Sequence, residues 1–152
     1  MAYQNGQVES ALARVCRIPA AELGAFKGKL RHLRNLGIPK VRRVGSGNRA
    51  KFNRSDVLTM RLALEFSTLG IKPAAVAGLT TKGLEHLEEH SKTVVGKDVY
   101  LIVFPAHPQG YIWLTAYGIE GVAKIAEKIS ATNFVTINLS RLVREMDMAL
   151  EE

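Results

Sequence analysis

One cysteine, Cys16, is all the chain has in 152 residues. That excludes a disulfide framework within one chain, and with it a metal centre built on several thiolates. No apolar run approaches the roughly 18 residues that would span a membrane. The opening MAYQNGQVES has neither the basic patch nor the apolar run of a secretory leader. These absences lead to the expectation of a cytoplasmic protein with no membrane partner. The most informative absence is of acid. Leu23 to Ser55 (LGAFKGKLRHLRNLGIPKVRRVGSGNRAKFNRS) holds ten Lys or Arg and no Asp or Glu. A solvated face usually mixes both signs, because a single-sign cluster repels itself. A polyanion is therefore the expected partner, and nucleic acid is the commonest one.

The rest of the composition is that of a folded protein, with 47% hydrophobic and 23% charged residues. The formal charge of +7 is unevenly distributed. Residues 1–79 carry 14 basic and 4 acidic side chains, net +10, whereas residues 80–152 carry 7 and 10, net −3. A basic half joined to a mildly acidic one suggests two regions with different tasks.

Val8 to Val15 reads as a short helix, and a second is expected from about Ala20 to Asn35. In the second, Leu23, Phe26, Leu30 and Leu33 recur at helical spacing. Lys27, Arg31 and Arg34 fall together beside that stripe, and Gly37 supplies the left-handed residue that closes the helix. Two helices joined by a tight turn, the second with a basic stripe, describe a helix-turn-helix. Lys40 follows. Val41–Val44 and Ala50–Phe52 then read as arms of a small hairpin turning at Gly45 and Gly47, with Arg42, Arg43, Arg49 and Lys51 on the arms. Packed on the helices, it would form a basic wing. Ser55 is expected to cap a helix running to about Leu69, which Gly70 stops, and Pro73 to open a short helix bearing Val76 and Leu79.

LRHLRNLGIP (30–39) resembles the end of the recognition helix in MerR-type regulators, with Leu30, Arg31, Leu36, Gly37 and Ile38 in register. SDVLTMRLALEFSTLGIKPAAV (55–76) is similar to the helices that follow in that family, at Asp56–Val57, Met60, Ala63, Phe66, Leu69–Gly70–Ile71 and Val76. The resemblance covers about residues 8–79. It implies a winged helix-turn-helix with Arg31 facing double-stranded DNA, and Asn48–Arg49 stand where the family's wing has a Tyr-Arg pair. The expected DNA contacts are Lys27, Arg31, Arg34, Lys40, Arg42, Arg43, Asn48, Arg49 and Lys51.

After Leu79 the chain departs from the family's long coiled-coil helix. A short helix is expected over residues 81–92, then strands at 99–104 and 111–117, a helix at 119–129, a strand at 134–138 and a last helix capped by Ser140. The fold class is thus α+β: an N-terminal winged helix-turn-helix (1–79), then a small three-stranded antiparallel sheet with helices (80–152). The first two of these strands are apolar on both faces. One face needs a cover, and a homodimer through Tyr100, Phe104, Tyr111 and Trp113 is the expected answer. The competing reading has the helices at 81–92 and 140–150 cover opposite faces of a closed monomer.

Catalytic chemistry finds little support. His86 and His90 share a helix face but lack a third ligand nearby. GSGNR lacks the Lys-Ser/Thr pair of a phosphate loop, and no nucleophile–base set can be assigned. The expectation is a DNA-binding transcriptional regulator, without enzyme activity, cofactor or metal, and with any small-molecule effector unassigned. Two alternatives remain open at this point. One is an excisionase-like architectural protein of a phage or mobile element. The other is a ligand-binding interaction protein whose basic half is only an anchor.

Overall fold

A computed structural model describes residues 2–40, 51–71, 75–80, 96–104, 112–129 and 133–151. The chain is α+β and forms two compact units, Met1–Thr81 with Val143–Glu152, and Lys82–Leu142. Among the described residues no helix is long and apolar enough to cross a membrane.

The first unit is mostly helical. Strand β1 (Tyr3–Gln4) leads into α1 (Asn5–Val15); a 3-10 turn at Ala20–Glu22 precedes α2 (Leu23–Asn35); β2 (Lys51–Phe52) precedes α3 (Arg54–Thr68); α4 is described over residues 75–80. The expected helix from Ala20 therefore starts three residues later as α-helix. Leu23 stands in its first turn, ahead of the part that Phe26, Leu30 and Leu33 press into the core, and is exposed. Helix α3 is the centre of this unit. Val57, Leu58, Met60, Leu62, Ala63, Leu64 and Phe66 are all buried, so its apolar surface runs almost around the helix rather than along one stripe.

Local chemistry sets the helix ends. At the start of α3, Asn53 Oδ1 accepts from Asp56 N–H at 2.8 Å, and Asp56 Oδ2 accepts from Asn53 N–H at 2.8 Å. This reciprocal box satisfies two donors, so the cap is Asn53 and not the expected Ser55, which lies within the first turn. At the ends, α1, α2 and α3 all close in one way. Ile18, Ile38 and Ile71 donate back to Ala13, Leu33 and Phe66, and Arg17, Gly37 and Gly70 donate to Arg14, Arg34 and Ser67. The residue at the turn is left-handed each time: Arg17 at φ 53°, Gly37 at 77° and Gly70 at 73°. Only glycine takes that conformation freely, so Gly37 closes α2 as expected and Arg17 is the exception.

Phe52 is fully buried, and its strand pairs antiparallel with β1 in the register Tyr3↔Phe52. The sequence pattern pairs Ala50–Phe52 with Val41–Val44; that hairpin arm, with Gly45 and Gly47, lies outside the described residues. So does the helix expected at 81–92.

In the second unit, β3 (Val99–Phe104) is the middle strand of a three-stranded antiparallel sheet, flanked by β4 (Ile112–Tyr117) and β5 (Val135–Asn138). Helix α5 (Gly118–Ile129) follows β4 through a left-handed Gly118 at φ 67°. Asp98 fastens the strand ends, its carbonyl accepting from Gly118 N–H at 2.8 Å and its Oδ2 from Asn138 Nδ2 at 2.9 Å. Helix α6 (Leu139–Glu151) starts directly after β5, with Asn138 Oδ1 accepting from Arg141 N–H. Asn138 thus makes the capping bond expected of Ser140. The Ser140 hydroxyl instead accepts from Val99 N–H at 2.9 Å and joins α6 to the sheet.

Candidate nucleic-acid interface

Helix α2 buries Phe26, Leu30 and Leu33, and what remains faces outward. Lys27 and Arg31, one turn apart, are both exposed, as are Lys29, His32 and Asn35. At 100° per residue Gly24 and Gly28 fall on the same side as Lys27 and Arg31. A Cβ at either glycine would meet nothing within 4 Å. Among the described residues no packing reason calls for glycine there, although each makes a helix less stable than alanine would by about 0.5–1 kcal/mol.

Arg34, expected beside Lys27 and Arg31, is half-buried and bound to the other helix. Its Nη1 donates to Asn5 Oδ1, and its Nη2 lies 3.5 Å from Glu9 Oε1. Asn5 Nδ2 donates to the same Glu9 oxygen at 2.8 Å. Arg34 therefore ties the last turn of α2 to the first turn of α1. Another cation of the acid-free stretch is engaged too: Arg54 meets Asp147 in a two-pronged pair, Nε to Oδ1 and Nη2 to Oδ2, both at 2.6 Å. Both partners are partly exposed, so the pair is worth at most about 1 kcal/mol. Lys40 and Lys51 are exposed. Arg42, Arg43, Asn48 and Arg49 lie outside the described residues, as do His86 and His90.

The aromatic residues expected at a subunit interface are divided. Phe104 is buried with Ile102, Ala116 and Val122, and half-buried Tyr100 and Ile125 pack on that cluster. The Phe104 ring centroid is 6.0 Å from that of Phe134. At Tyr100 and Phe104 the sheet thus packs against α5 of its own chain. Val99, Leu101 and Val103, on the other face of β3, are buried as well. The side chains of Tyr111 and Trp113 are outside the described residues.

A second feature of the first unit has only a faint trace in the sequence. A cavity of about 420 Å³ is bounded by the end of α1, the start of α2 and one side of α3. Arg61 lines it and is only 8% exposed, the one buried charged residue among those described. Its Nη1 pairs with Glu65 one turn on, while its buried Nε has no hydrogen-bond partner. An unpaired buried donor of this kind costs about 1–3 kcal/mol. The trace is an Arg four residues before a Glu, on a helix whose other faces are apolar. Cys16 also lines the cavity, its thiol held above the ordinary range chiefly by burial and by the Glu65 charge, with Arg61 and Lys29 opposing. It stays protonated at neutral pH, which argues against a reactive nucleophile.

No protein-family model matches the chain, and no match to a curated protein was found.

Proposed function

We propose that this chain is a DNA-binding regulator whose residues 8–79 act as a MerR-like winged helix-turn-helix, with α2 as the recognition helix. The observation that carries this reading is the outer face of α2. Lys27 and Arg31 stand exposed one turn apart, opposite the buried Phe26, Leu30 and Leu33, in a stretch that contains no carboxylate. Nothing on that stretch offsets their charge, and a duplex would. The glycines at 24 and 28 add to it, because a helix face without side chains can approach a groove wall closely. Arg34 has a positioning part: bound to Asn5 and Glu9, it sets α2 against α1.

On this reading Arg31 contacts a base edge, while Lys27, Lys40, Lys51 and the basic residues of the wing, Arg42, Arg43 and Arg49, with Asn48, hold phosphates. The protein is cytoplasmic and non-enzymatic, and binds as a homodimer to sites with two half-sites. Fluorescence anisotropy with duplexes recovered by selection from the source genome tests it. Arg31→Ala is expected to weaken the best site by about 1–3 kcal/mol and to relax preference at one base position. Binding equal to the parent's at moderate salt would remove α2 from the interface.

A further inference from the structure

Two residues of the first unit sit where stability alone would not put them, and both line the same cavity. Arg61 is more than nine-tenths buried, with Nε unpartnered; a well-packed apolar side chain there would be at least as stable. Arg17 holds the left-handed turn residue that glycine holds at the equivalent ends of α2 and α3. A bulky residue kept in such a conformation points to a use for its side chain. These departures are independent of each other: one concerns a buried donor on α3, the other the backbone after α1.

The lining gives the chemistry of an occupant. Arg17, Lys29 and Arg61 line it together with Glu22 and Glu65, which leaves one net positive charge. Glu65 takes Nη1 of the Arg61 guanidinium, and the buried Nε is left without a partner; a guanidinium with spare donors is the group that grips a carboxylate in a two-pronged way. Ile18, Phe26 and Leu64 supply apolar wall. The volume, about 420 Å³, lies within the range of small-molecule sites.

We propose that this cavity binds a small amphipathic monocarboxylate, its carboxylate on Arg61 with Lys29 and Arg17 nearby, and its aromatic or aliphatic body against Phe26 and Leu64. A free phosphate fits less well, since it has no apolar part and brings a second charge toward Glu22 and Glu65. The cavity lies within the first unit, on α2 itself, and not among the strands of the second. The proposal does not rest on DNA binding, because the cavity and Arg61 are the same whether or not α2 meets a duplex.

Calorimetric titration of the full chain with phenylacetate, benzoate and hexanoate tests it, with phenylacetamide as neutral isostere and inorganic phosphate as plain anion. At least one carboxylate should saturate with Kd below about 1 mM, and phenylacetamide and phosphate should bind at least tenfold more weakly. Arg61→Met should lose at least tenfold in affinity at an unchanged circular dichroism spectrum. Lys29→Gln, at an exposed position, should lose several-fold and decides the matter if the first variant fails to fold. Cys16, the only thiol, reports occupancy in alkaline buffer, where its thiolate forms: the bound carboxylate should slow its alkylation by iodoacetamide, and phenylacetamide should not. The proposal falls if none of the three carboxylates saturates, if the amide binds equally well, or if the folded variants bind like the parent.

Discussion

Helices α2 and α5 are nearly the same length, 13 and 12 residues, and both are amphipathic, yet their outer faces differ in kind. On α2 the exposed charges are all positive, from Lys27, Lys29 and Arg31, while Arg34 is paired with Glu9 of α1. On α5, Glu120, Lys124, Glu127 and Lys128 balance, as on a helix whose outer face meets only water. The apolar faces differ in the opposite sense. Helix α2 buries Phe26, Leu30 and Leu33, whereas α5 buries Val122, half-buries Ile125 and leaves Ile119 at 66% exposure. One helix has its packing complete and its charge unbalanced; the other has its charge balanced and its packing partial. A binding role is read from the quantity left uncompensated. In the first unit that is charge, which on the proposed function a duplex would offset, and in the second it is a modest apolar surface at Ile119 and Ile129.

Such a contrast has meaning only if each unit has its own core, and the largest expected effects test that. Phe66→Ala removes a fully buried ring from α3 and should cost about 3–5 kcal/mol; Ile102→Ala in the middle strand should cost about 2–5. Either is a large share of a typical domain's stability of about 5–15 kcal/mol. Native-state hydrogen exchange should show the first variant loosening amides of α1, α2 and α3, and the second loosening those of β3, β4 and β5. Equal loss of protection in both units from either variant would mean one cooperative body, and the two outer faces could then no longer be compared as properties of separate units.

What the sequence made legible follows from how local each signal is. The Phe26, Leu30, Leu33 stripe and the apolar run Val99–Phe104 are periodic and continuous, and both formed the elements they indicate. The α+β class and the antiparallel three-stranded sheet were therefore readable. The strand Tyr3–Gln4 was not, because two residues carry no period and owe their conformation to a partner almost fifty positions away. Ser55 and Asn53 are both good caps; only Asp56, three residues after Asn53, distinguishes them. The covering of Tyr100 and Phe104 by α5 was hidden for another reason: when both faces of a strand are apolar, alternation does not say which one a helix will take. Of the candidate site, the exposure of Lys27 and Arg31 was legible from the stripe. The ties of Arg34 to Asn5 and Glu9 were not, since they join residues 29 and 25 positions apart across two helices.

The difference in charge predicts a difference in salt dependence. The double substitution Lys27→Ala, Arg31→Ala should lower the slope of log K against log salt by about 0.9 for each phosphate it leaves unneutralised. Removing Lys124 and Lys128 from α5 deletes the same nominal charge and should leave the slope unchanged. Filter binding or anisotropy across a salt series measures both. If the two doubles lower the slope equally, net charge alone drives association, and the outer face of α2 has no special part in it.

The smallest expected effect bears most directly on why α2 has glycine on its outer face. Gly28 lies in mid-helix, where alanine is the better residue by about 0.5–1 kcal/mol, chiefly because glycine has more conformational freedom to lose on folding. The space is open, since a Cβ at Gly28 meets nothing within 4 Å, and the position is helical, so nothing in the fold opposes the substitution. Gly28→Ala should therefore raise the denaturation midpoint. If the glycine is there because a groove wall comes close, the same methyl group should weaken DNA binding although it removes no charge and no hydrogen bond, and the salt slope should stay as it was. Chemical denaturation and anisotropy on one sample give both readings. A stabilised variant that binds at full strength would leave Lys27 and Arg31 as long side chains reaching to phosphates from a helix held outside the groove, and the α2 face would then owe its role to charge and not to fit.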